Sequence, residues 1–389
     1  MASLADFLSS GVLNTDGFLG ANLSYSEGHQ AICVSGIVNV PVVATNVEIL
    51  YRGPENNYEL TEFITNFVRR DTDTFSTSFG GPQQISDTFP IYSKLCIPAN
   101  SENASQPTSV QFLTHGGTLD HTYWDFAPEY SYVDAAADKG YATFSYDRLG
   151  TGRSAHPDPL QIVQIPLQVE IAHAIIDNLK SGQIGGIPFS RVVGIGHSLG
   201  AALTQDIARL HPDDFEAIVL TGHSNFHAGS GTGFASAAQQ IANSVPDRPE
   251  LKDLPNGYFT LAPVEQALQF AFYYYPHFDQ KIFKKNLNTR QNNAIGETLT
   301  LGGSYVPTTF DKPVLLLNGQ QDLFYCQGKC STGGSDVSAD ALAFFFPAKH
   351  EGSRAVTLPD IGHNINMHLG RTDAFEATLE FIKACGIEQ

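Results

Sequence analysis

Short runs of apolar residues alternate with helical patterns from about residue 108 to the end of the chain. Each apolar run stops where loop residues begin, and the segments between runs carry apolar residues at helical spacing. The predicted strands are Ser109–Thr114, Ala142–Tyr146, Val192–Ile195, Ala217–Thr221, Val314–Asn318 and Arg354–Leu358. The predicted helices are Leu167–Lys180, Leu199–Leu210 and Thr372–Ala384. This alternation indicates an α/β fold, with a mostly parallel central sheet flanked by helices.

Two segments interrupt the pattern and suggest the domain organisation. Residues 1–107 hold alternating runs such as Ala31–Val43 and Pro90–Ile97, and we expect a β-containing extension packed on the core. Residues 225–310 separate two core strands by roughly 85 residues, far more than an ordinary connection, and predict an inserted cap or lid. The core is then 108–224 and 311–389.

The insert contains an aromatic segment, Phe270–Phe278, with the sequence FAFYYYPHF. Aromatic side chains dominate small cores as readily as they line ligand pockets. The segment therefore has two interpretations, an apolar pocket wall and the insert's own core, and the sequence leaves both open.

Composition narrows the range of partners. Only 16% of the 389 residues are charged, and 22 Lys and Arg stand against 40 Asp and Glu, for a net charge of −18. Such an excess of negative charge repels nucleic acid and anionic lipid headgroups, so neither is an expected partner. We find no run of the roughly 20 apolar residues that a membrane-spanning helix needs. The sequence does not indicate an oligomeric state.

Cysteines and sequons bear on the cellular compartment. The five cysteines show no CxxC pairing that would indicate a structural metal site: Cys33, Cys96, Cys326, Cys330 and Cys385. Asn-x-Ser sequons at Asn22 and Asn103 suit a secreted glycoprotein with disulfides Cys33–Cys96 and Cys326–Cys330. Unpaired thiols are the alternative for the second pair. Because the start of the chain lacks signal-peptide features, we expect a secreted protein without its leader, with a cytoplasmic protein as the alternative.

A nucleophile elbow is predicted where an apolar run enters Gly196-His197-Ser198-Leu199-Gly200 and a helical segment follows at once. The elbow places a serine at a tight strand-to-helix turn, which needs small residues two positions before and after it. A G-x-S-x-G window alone is a weak signal, but here the strand, the turn and the helix are all predicted. We therefore predict that Ser198 is a nucleophile.

A serine nucleophile needs a base and an acid that orients it. Asp322 follows one predicted strand, and His363 follows the next, so both reach the carboxyl edge of the sheet where Ser198 is expected. His368 is an alternative base and Asp360 an alternative acid. Asp311 precedes its strand and is expected at the opposite edge.

The segment His115-Gly116-Gly117, after an early strand, exposes backbone N–H groups without side-chain obstruction. Acyl transfer requires such donors where a carbonyl oxygen becomes negative. We predict that the oxyanion hole is formed by the N–H groups of Gly117 and Leu199. His115 is expected to be a structural, hydrogen-bonding histidine.

With these motifs the chain resembles the α/β-hydrolase superfamily over roughly 108–224 and 311–389. The segment Tyr146–Ser154 is similar to the D-x-x-G-x-G-x-S loop of many members. The resemblance implies that this loop braces the active-site entrance, that Asp147 and Arg148 are structural, and that the insert is a lid. The long N-terminal segment departs from the minimal family pattern.

The expected function is a serine hydrolase that cleaves a carboxylic ester or lactone of an apolar or aromatic small molecule through an acyl-serine. No metal or organic cofactor is implied. Serine at the elbow, where epoxide hydrolases and dehalogenases of this superfamily carry aspartate, argues against those reactions. A lyase or acyltransferase with the same triad, a peptidase, and a non-catalytic binding protein are the alternatives.

Overall fold

The computed structural model describes residues 13–69, 75, 77–99, 107–348 and 350–388. The sequon at Asn103 and the first residues of the predicted extension lie outside these ranges. Asn22, the other sequon, is exposed on the first strand of the described chain.

The N-terminal part of the chain forms three strands and a helix. Their bounds are β1 Leu19–Tyr25, β2 Ala31–Ile49, α1 Asn57–Phe67 and β3 Phe79–Pro98. The strands pair antiparallel with one another, and β3 continues into the main sheet by pairing with the strand Ala142–Tyr146. The extension therefore lengthens the central sheet at one edge.

Helix α1 is an element that the sequence analysis overlooked. Leu60, Phe63 and Ile64 are buried on one face of it, at helical spacing. Asn56 caps its N-terminus by accepting a hydrogen bond from the backbone N–H of Glu59 at 3.0 Å. Both signals, the spacing of the apolar residues and the asparagine before them, were present in the sequence.

The remaining strands of the central sheet are parallel to one another. They are β4 Ser109–Thr114, β5 Ala142–Tyr146, β6 Arg191–His197, β7 Ala217–Thr221, β11 Val314–Gly319 and β14 Arg354–Leu358. Within the described residues this sheet has nine strands in the order β1-β2-β3-β5-β4-β6-β7-β11-β14. All six strands predicted for the core are confirmed, with β6 and β11 slightly longer than expected.

Helices cover both faces of the sheet. Their bounds are α2 Tyr132–Asp138, α3 Ile165–Lys180, α4 Leu199–Leu210, α10 Val337–Phe345 and α11 Arg371–Ala384. Successive strand residues belong to different hydrophobic clusters: Val314 and Leu316 of β11 pack in one, and Leu315 and Leu317 in the other. This alternation is expected for a sheet buried on both faces.

The insert between β7 and β11 is mostly helical. Its elements are α5 His227–Ser236, β8 Gln240–Ile241, β9 Tyr258–Thr260, α6 Glu265–Phe272, α7 Gln280–Thr289, β10 Asn293–Ala294 and α8 Ile295–Thr300. Strands β8, β9 and β10 form a small separate sheet. Beyond β11, the chain adds a short helix α9 Leu323–Cys326 and the short strands β12 Ser331–Thr332 and β13 Ser335–Asp336. The division into extension, core and cap stays a prediction.

Two disulfides are present. Cys33–Cys96 joins residues that face each other across β2 and β3, and Cys326–Cys330 closes a loop just after Asp322. Cys385 is unpaired. Of the helices in the described part of the chain, none has the length and apolar character needed to cross a membrane.

Candidate active site

Ser198 lies at the turn between β6 and α4 with φ 56° and ψ −120°. A serine rarely adopts a positive φ, and the turn persists because the flanking elements hold it. A Cβ at Gly196 would lie 2.3 Å from the Gly200 carbonyl oxygen, and one at Gly200 would lie 2.2 Å from that of Thr114. Glycine is therefore required on both sides, as the elbow interpretation expects.

The side chains of Ser198, His363 and Asp322 form a continuous hydrogen-bonded chain. Ser198 Oγ lies 2.8 Å from His363 Nε2, and His363 Nδ1 lies 2.7 Å from Asp322 Oδ2. Both His363 and Asp322 are buried, whereas Ser198 is half-buried. With Nδ1–H donated to the carboxylate, Nε2 is left to accept the serine proton.

The loops after two neighbouring strands bring Asp322 and His363 together. Asp322 follows β11 and caps α9, where its other oxygen accepts from the backbone N–H of Tyr325 at 2.9 Å. That hydrogen bond fixes the rotamer of the carboxylate. His363 follows β14, which pairs with β11 in parallel, so both loops leave the same edge of the sheet.

The alternative acid and base lie elsewhere. Asp360 is exposed, with its carboxylate 3.5 Å from His277. His368 is buried, donates from Nδ1 to the Asn364 carbonyl at 2.8 Å and accepts at Nε2 from two backbone N–H groups. Burial lowers the pKa of His368 to about 4, so it stays neutral. Asp311 is exposed and precedes β11, at the opposite end from Asp322.

Aromatic rings surround His363. Phe324 stacks on it at 5.2 Å between ring centroids, and Phe272 and His197 approach at 5.7 and 5.0 Å. His197 is buried and stacks on Tyr123 at 4.6 Å. Burial, followed by the nearby His363, holds the pKa of His197 well below its ordinary value. The elbow histidine is therefore a neutral packing residue behind the site.

Gly117 and Leu199, the predicted oxyanion-hole residues, line the same cleft as Ser198. Their N–H groups donate to no protein acceptor within the described part of the chain. A Cβ at Gly116 would lie 3.0 Å from the Cβ of Ser198, so the glycine pair runs directly against the elbow. Two backbone donors thus remain available beside the serine.

His115 holds this segment in place. Its Nδ1 donates to the Gly116 carbonyl at 2.8 Å, and its Nε2 accepts from the Arg148 N–H at 3.0 Å. Burial lowers the pKa of His115 to about 3, which keeps Nε2 an acceptor. Both nitrogens bond backbone groups, in agreement with a structural histidine.

Asp147 and Arg148 brace the neighbouring loop. Asp147 accepts from Nδ1 of His121 at 2.6 Å; burial opposes its ionisation, but the charge and hydrogen bonds of His121 outweigh this and lower its pKa. Arg148 is buried and pairs with Glu297 at 2.5 Å and with Gln168 at 2.9 Å. Glu297 belongs to α8, so this ion pair ties the insert to the core.

Carboxylates and imidazoles approach one another closely in two groups within the described residues. These are Asp120, His121 and Asp147, and His173, Asp177 and Asp214. Several of their atoms already hydrogen-bond to each other, as His173 Nδ1 does with Asp214 at 2.8 Å. Neither group contains a member of the hydrogen-bonded chain around Ser198. The expectation of no metal or organic cofactor stays a prediction.

The cleft above Ser198 holds roughly 640 Å³ of empty space, part of it open to solvent. It is lined by Gly117, Thr118, Ser198, Leu199, Ser230, Phe234, Ala237, Gln239, Phe272, Asn293, Thr298, Leu301, Tyr305, Phe324 and Tyr325. Of the aromatic segment, Phe272 lines the cleft, while Tyr273 and Phe278 pack on Phe283 of the insert. Each interpretation of that segment therefore holds for part of it.

Sequence reasoning missed several cleft residues. Asn293 and Thr298 come from the end of the insert, Phe234 from α5, and Phe324 from α9. The polar run Arg290–Asn293 within an aromatic-rich insert was a usable signal of contacts with another part of the chain. Polar side chains that become buried need hydrogen-bond partners. For Phe324 its position two residues after Asp322 was the only signal.

Comparison with known proteins agrees with this architecture. The model of the alpha/beta hydrolase family matches residues 112–378. A comparison with curated proteins gave no match. Solved structures similar in fold include a thermophilic esterase from Thermogutta terrifontis, with 15% identity, 77% of this chain and 95% of that chain covered, and a TM-score of 0.49.

An epoxide hydrolase from Vigna radiata is 15% identical, with 76% of this chain and 95% of that chain covered and a TM-score of 0.47. A probable hydrolytic enzyme from Pseudomonas aeruginosa is 18% identical, with 75% of this chain and 90% of that chain covered and a TM-score of 0.48. At these identities and at TM-scores below 0.5, the likenesses carry no conclusion about this chain. The family match spans more than half of the chain, and the sheet order and crossover helices fit it. This protein belongs to the α/β-hydrolase family.

Proposed function

We propose that the protein is a serine hydrolase that cleaves a carboxylic ester or lactone of an apolar or aromatic small molecule. The observation that carries the proposal is the unbroken hydrogen-bonded chain from Ser198 Oγ through His363 to Asp322. Such a chain is the arrangement that activates a serine for acyl transfer.

In the proposed mechanism, His363 takes the proton of Ser198 as the serine oxygen attacks the ester carbonyl. Asp322 keeps His363 in the required tautomer and stabilises the imidazolium that forms. The N–H groups of Gly117 and Leu199 donate to the oxyanion of the tetrahedral intermediate. Its collapse breaks the bond to the alcohol, which leaves with the proton from His363.

Water completes the cycle. His363, neutral again, takes a proton from a water molecule that attacks the acyl-serine carbonyl. The second tetrahedral intermediate collapses, the carboxylic acid leaves, and His363 returns the proton to Ser198. These steps use only groups of this chain, the substrate and water.

The nucleophile favours ester cleavage over epoxide opening. Family members that open epoxides by the usual route attack through a carboxylate at the elbow, whereas this chain has Ser198 there. An apolar or aromatic substrate is supported by Phe234, Phe272 and Phe324 in the cleft wall. Aromatic side chains bury apolar ligand surface favourably.

A fluorophosphonate probe tests the nucleophile. We expect the wild-type protein to be labelled and Ser198→Ala to remain unlabelled, because the probe reacts only with an activated serine. The matched control is Ser190→Ala, an exposed serine that donates to the Thr108 carbonyl. Labelling of Ser198→Ala to the wild-type extent, or no labelling of the wild type, would refute the proposal.

A panel of esters tests the reaction and substrate class. It should contain short-chain, long-chain and aromatic esters, lactones and charged peptides. We expect release of the carboxylic acid from the apolar and aromatic members. Cleavage of charged peptides alone would indicate a peptidase, and transfer of the acyl group to an added alcohol in preference to water would indicate an acyltransferase.

We also propose that the protein works in an oxidising compartment outside the cytosol. The two disulfides support this, since such bonds are rare in reducing compartments. Alkylation of the protein from its natural source, followed by mass measurement, should modify one of the five cysteines. Modification of all five without added reductant would contradict the proposal.

A further inference from the structure

The end of the insert that leads back to the core, at Gln291 and Asn293, hydrogen-bonds the loop that carries the predicted oxyanion hole. The backbone N–H of Gln291 donates to the Thr118 carbonyl at 2.8 Å. The Thr118 N–H in turn donates to Oδ1 of Asn293 at 2.9 Å. Both backbone polar groups of one residue next to Gly117 are thus bound by the insert.

Thr118 needs this support. Its φ is 59°, in the left-handed region, which is a true outlier for a β-branched residue. Such a conformation persists only when the surrounding contacts determine it. The preceding Gly116 and Gly117 have no side chains to restrict them, so the loop depends on hydrogen bonds at its two ends. His115 supplies one end and Asn293 the other.

The amide of Asn293 has a determined orientation. Because the atom facing the Thr118 N–H must be an acceptor, it is Oδ1, and Nδ2 is the other atom. A Cβ at Gly117 would lie 3.1 Å from Oδ1 and 3.5 Å from Nδ2, so the amide lies directly against Gly117. Asn293 is only 8% exposed, and it lines the cleft.

We propose that Asn293 is a positioning residue through which the insert shapes the oxyanion hole. It holds Thr118 in the left-handed conformation and thereby aims the N–H of Gly117 at the position where negative charge develops. The inference rests on the proposed ester hydrolysis. An oxyanion donor contributes chiefly in the transition state, so loss of its alignment lowers kcat more than it raises KM.

The first test is Asn293→Ala, assayed with a neutral ester. We expect kcat to fall about 10- to 100-fold, less than or similar to the loss of a whole oxyanion donor, with KM within about threefold of the wild type. A trifluoromethyl ketone, which forms an oxyanionic adduct with the serine, should lose affinity in parallel with kcat/KM. Asn256→Ala, an exposed asparagine of the same insert, is the matched control and should match the wild type.

A double-mutant cycle with Thr118→Gly tests whether the effect passes through Thr118. Glycine adopts a positive φ without strain, so the loop needs less support in this background. We expect the fold-loss of kcat caused by Asn293→Ala to be at least three times smaller in the Thr118→Gly background than in the wild type. If Asn293→Ala does not fold, Asn293→Leu, which keeps the shape of the side chain, takes its place in the cycle.

Several results would overturn the proposal. An equal loss of kcat in both backgrounds would mean that Asn293 does not act through Thr118. A rise in KM with unchanged kcat would make Asn293 a substrate contact only. If Ser198 is labelled by fluorophosphonate and Asn293→Ala retains wild-type kcat, the inference fails and the proposed function stands. If the wild type is not labelled, both fail.

Discussion

The histidines in and beside the site differ in what their ring nitrogens contact. His363 bonds a carboxylate and a hydroxyl, which suits proton transfer. His115 and His368 bond backbone groups with both nitrogens and are buried. An imidazole whose Nε2 accepts a backbone N–H cannot be protonated there without losing that bond. The hydrogen-bond partners therefore distinguish the proposed base, His363, from the structural histidines.

The buried neutral histidines make the fold sensitive to acid. Burial lowers the pKa of His368 to about 4, below its value in the unfolded chain, so the unfolded state binds more protons between these values. The contribution of His368 to stability is complete above about pH 6.5 and is lost as the pH falls toward 4. We expect this loss to reach about 2 to 3 kcal/mol between about pH 7 and 4.5.

Urea unfolding of the wild type and His368→Gln across that pH range measures the effect. The free energy of unfolding of the variant should fall less steeply with acidification, whatever its value at neutral pH. His350→Gln, at an exposed histidine, is the control and should keep the wild-type slope. Equal slopes for all three proteins would show that His368 does not contribute.

At the scale of elements, α5 rests on α9 through glycines. A Cβ at Gly229 would lie 2.6 Å from the Phe324 carbonyl oxygen. A Cβ at Gly233 would lie 2.4 Å from the ring of Phe324, which itself stacks on His363. Helix α5 can therefore approach the loop after Asp322 this closely only because these positions lack side chains.

Alanine substitutions on α5 test this contact. Gly233→Ala should displace the Phe324 ring that stacks on His363 and thereby disturb the alignment of the imidazole. We expect kcat to fall about tenfold, because a small displacement of a proposed catalytic group is costly. Gly231→Ala is the matched control, since a Cβ there meets Val68 at an ordinary 3.6 Å. Alanine favours the helix by about 1 kcal/mol at either position. Steady-state kinetics and thermal unfolding separate the two effects, and equal kcat values would contradict the prediction.

The two disulfides are expected to act differently. Cys33–Cys96 closes a loop with a sequence separation of 63, and Cys326–Cys330 one of 4. Constraint of the unfolded chain grows with loop length, so we expect losses of about 4 and 2 kcal/mol when each pair is replaced by serine. The short bridge closes the loop that begins after Asp322, so its removal should also lower kcat.

Denaturant unfolding and steady-state kinetics of the two double serine variants check this, and each variant is the control for the other. The variant lacking Cys33–Cys96 should be the less stable and keep the wild-type kcat. The variant lacking Cys326–Cys330 should be the less active. The opposite order in both measurements would show that the short bridge does not support the Asp322 loop.

At the scale of the molecule, the insert is fastened to the core at its returning end. Asn292 donates to the Gly150 carbonyl at 2.5 Å, Gln291 to Asp120 at 2.8 Å, and Glu297 pairs with Arg148. These contacts involve both the loop after β4 and the loop after β5. The returning end of the insert therefore forms a wall of the site that is bonded to the core.

The net charge of −18 predicts a salt effect on substrate choice. At low ionic strength the field of the molecule extends tens of ångströms and repels anions. We expect an anionic ester to have a lower kcat/KM than a neutral ester of the same size and leaving group. The ratio should approach one as salt rises from about 10 to 500 mM, with the neutral ester as internal control. A salt-independent ratio would place the discrimination within the cleft.

The sequence by itself determined the strands of the core, the glycines of the elbow and the order of the proposed nucleophile, acid and base along the chain. These features depend on local rules: apolar periodicity, the tight turn at Ser198, and loops that end parallel strands at one edge. Helix α1 also had local signals, which were overlooked.

Tertiary structure decided what depends on contacts between distant segments. Of the candidate bases His363 and His368, only His363 bonds Ser198, which is 165 residues away in the chain, and of the candidate acids Asp322 and Asp360, only Asp322 bonds His363. Tertiary structure also brought Asn293 against Thr118 and Phe324 beneath α5. No periodicity encodes such contacts, since their geometry arises only when the insert folds back onto the edge of the sheet.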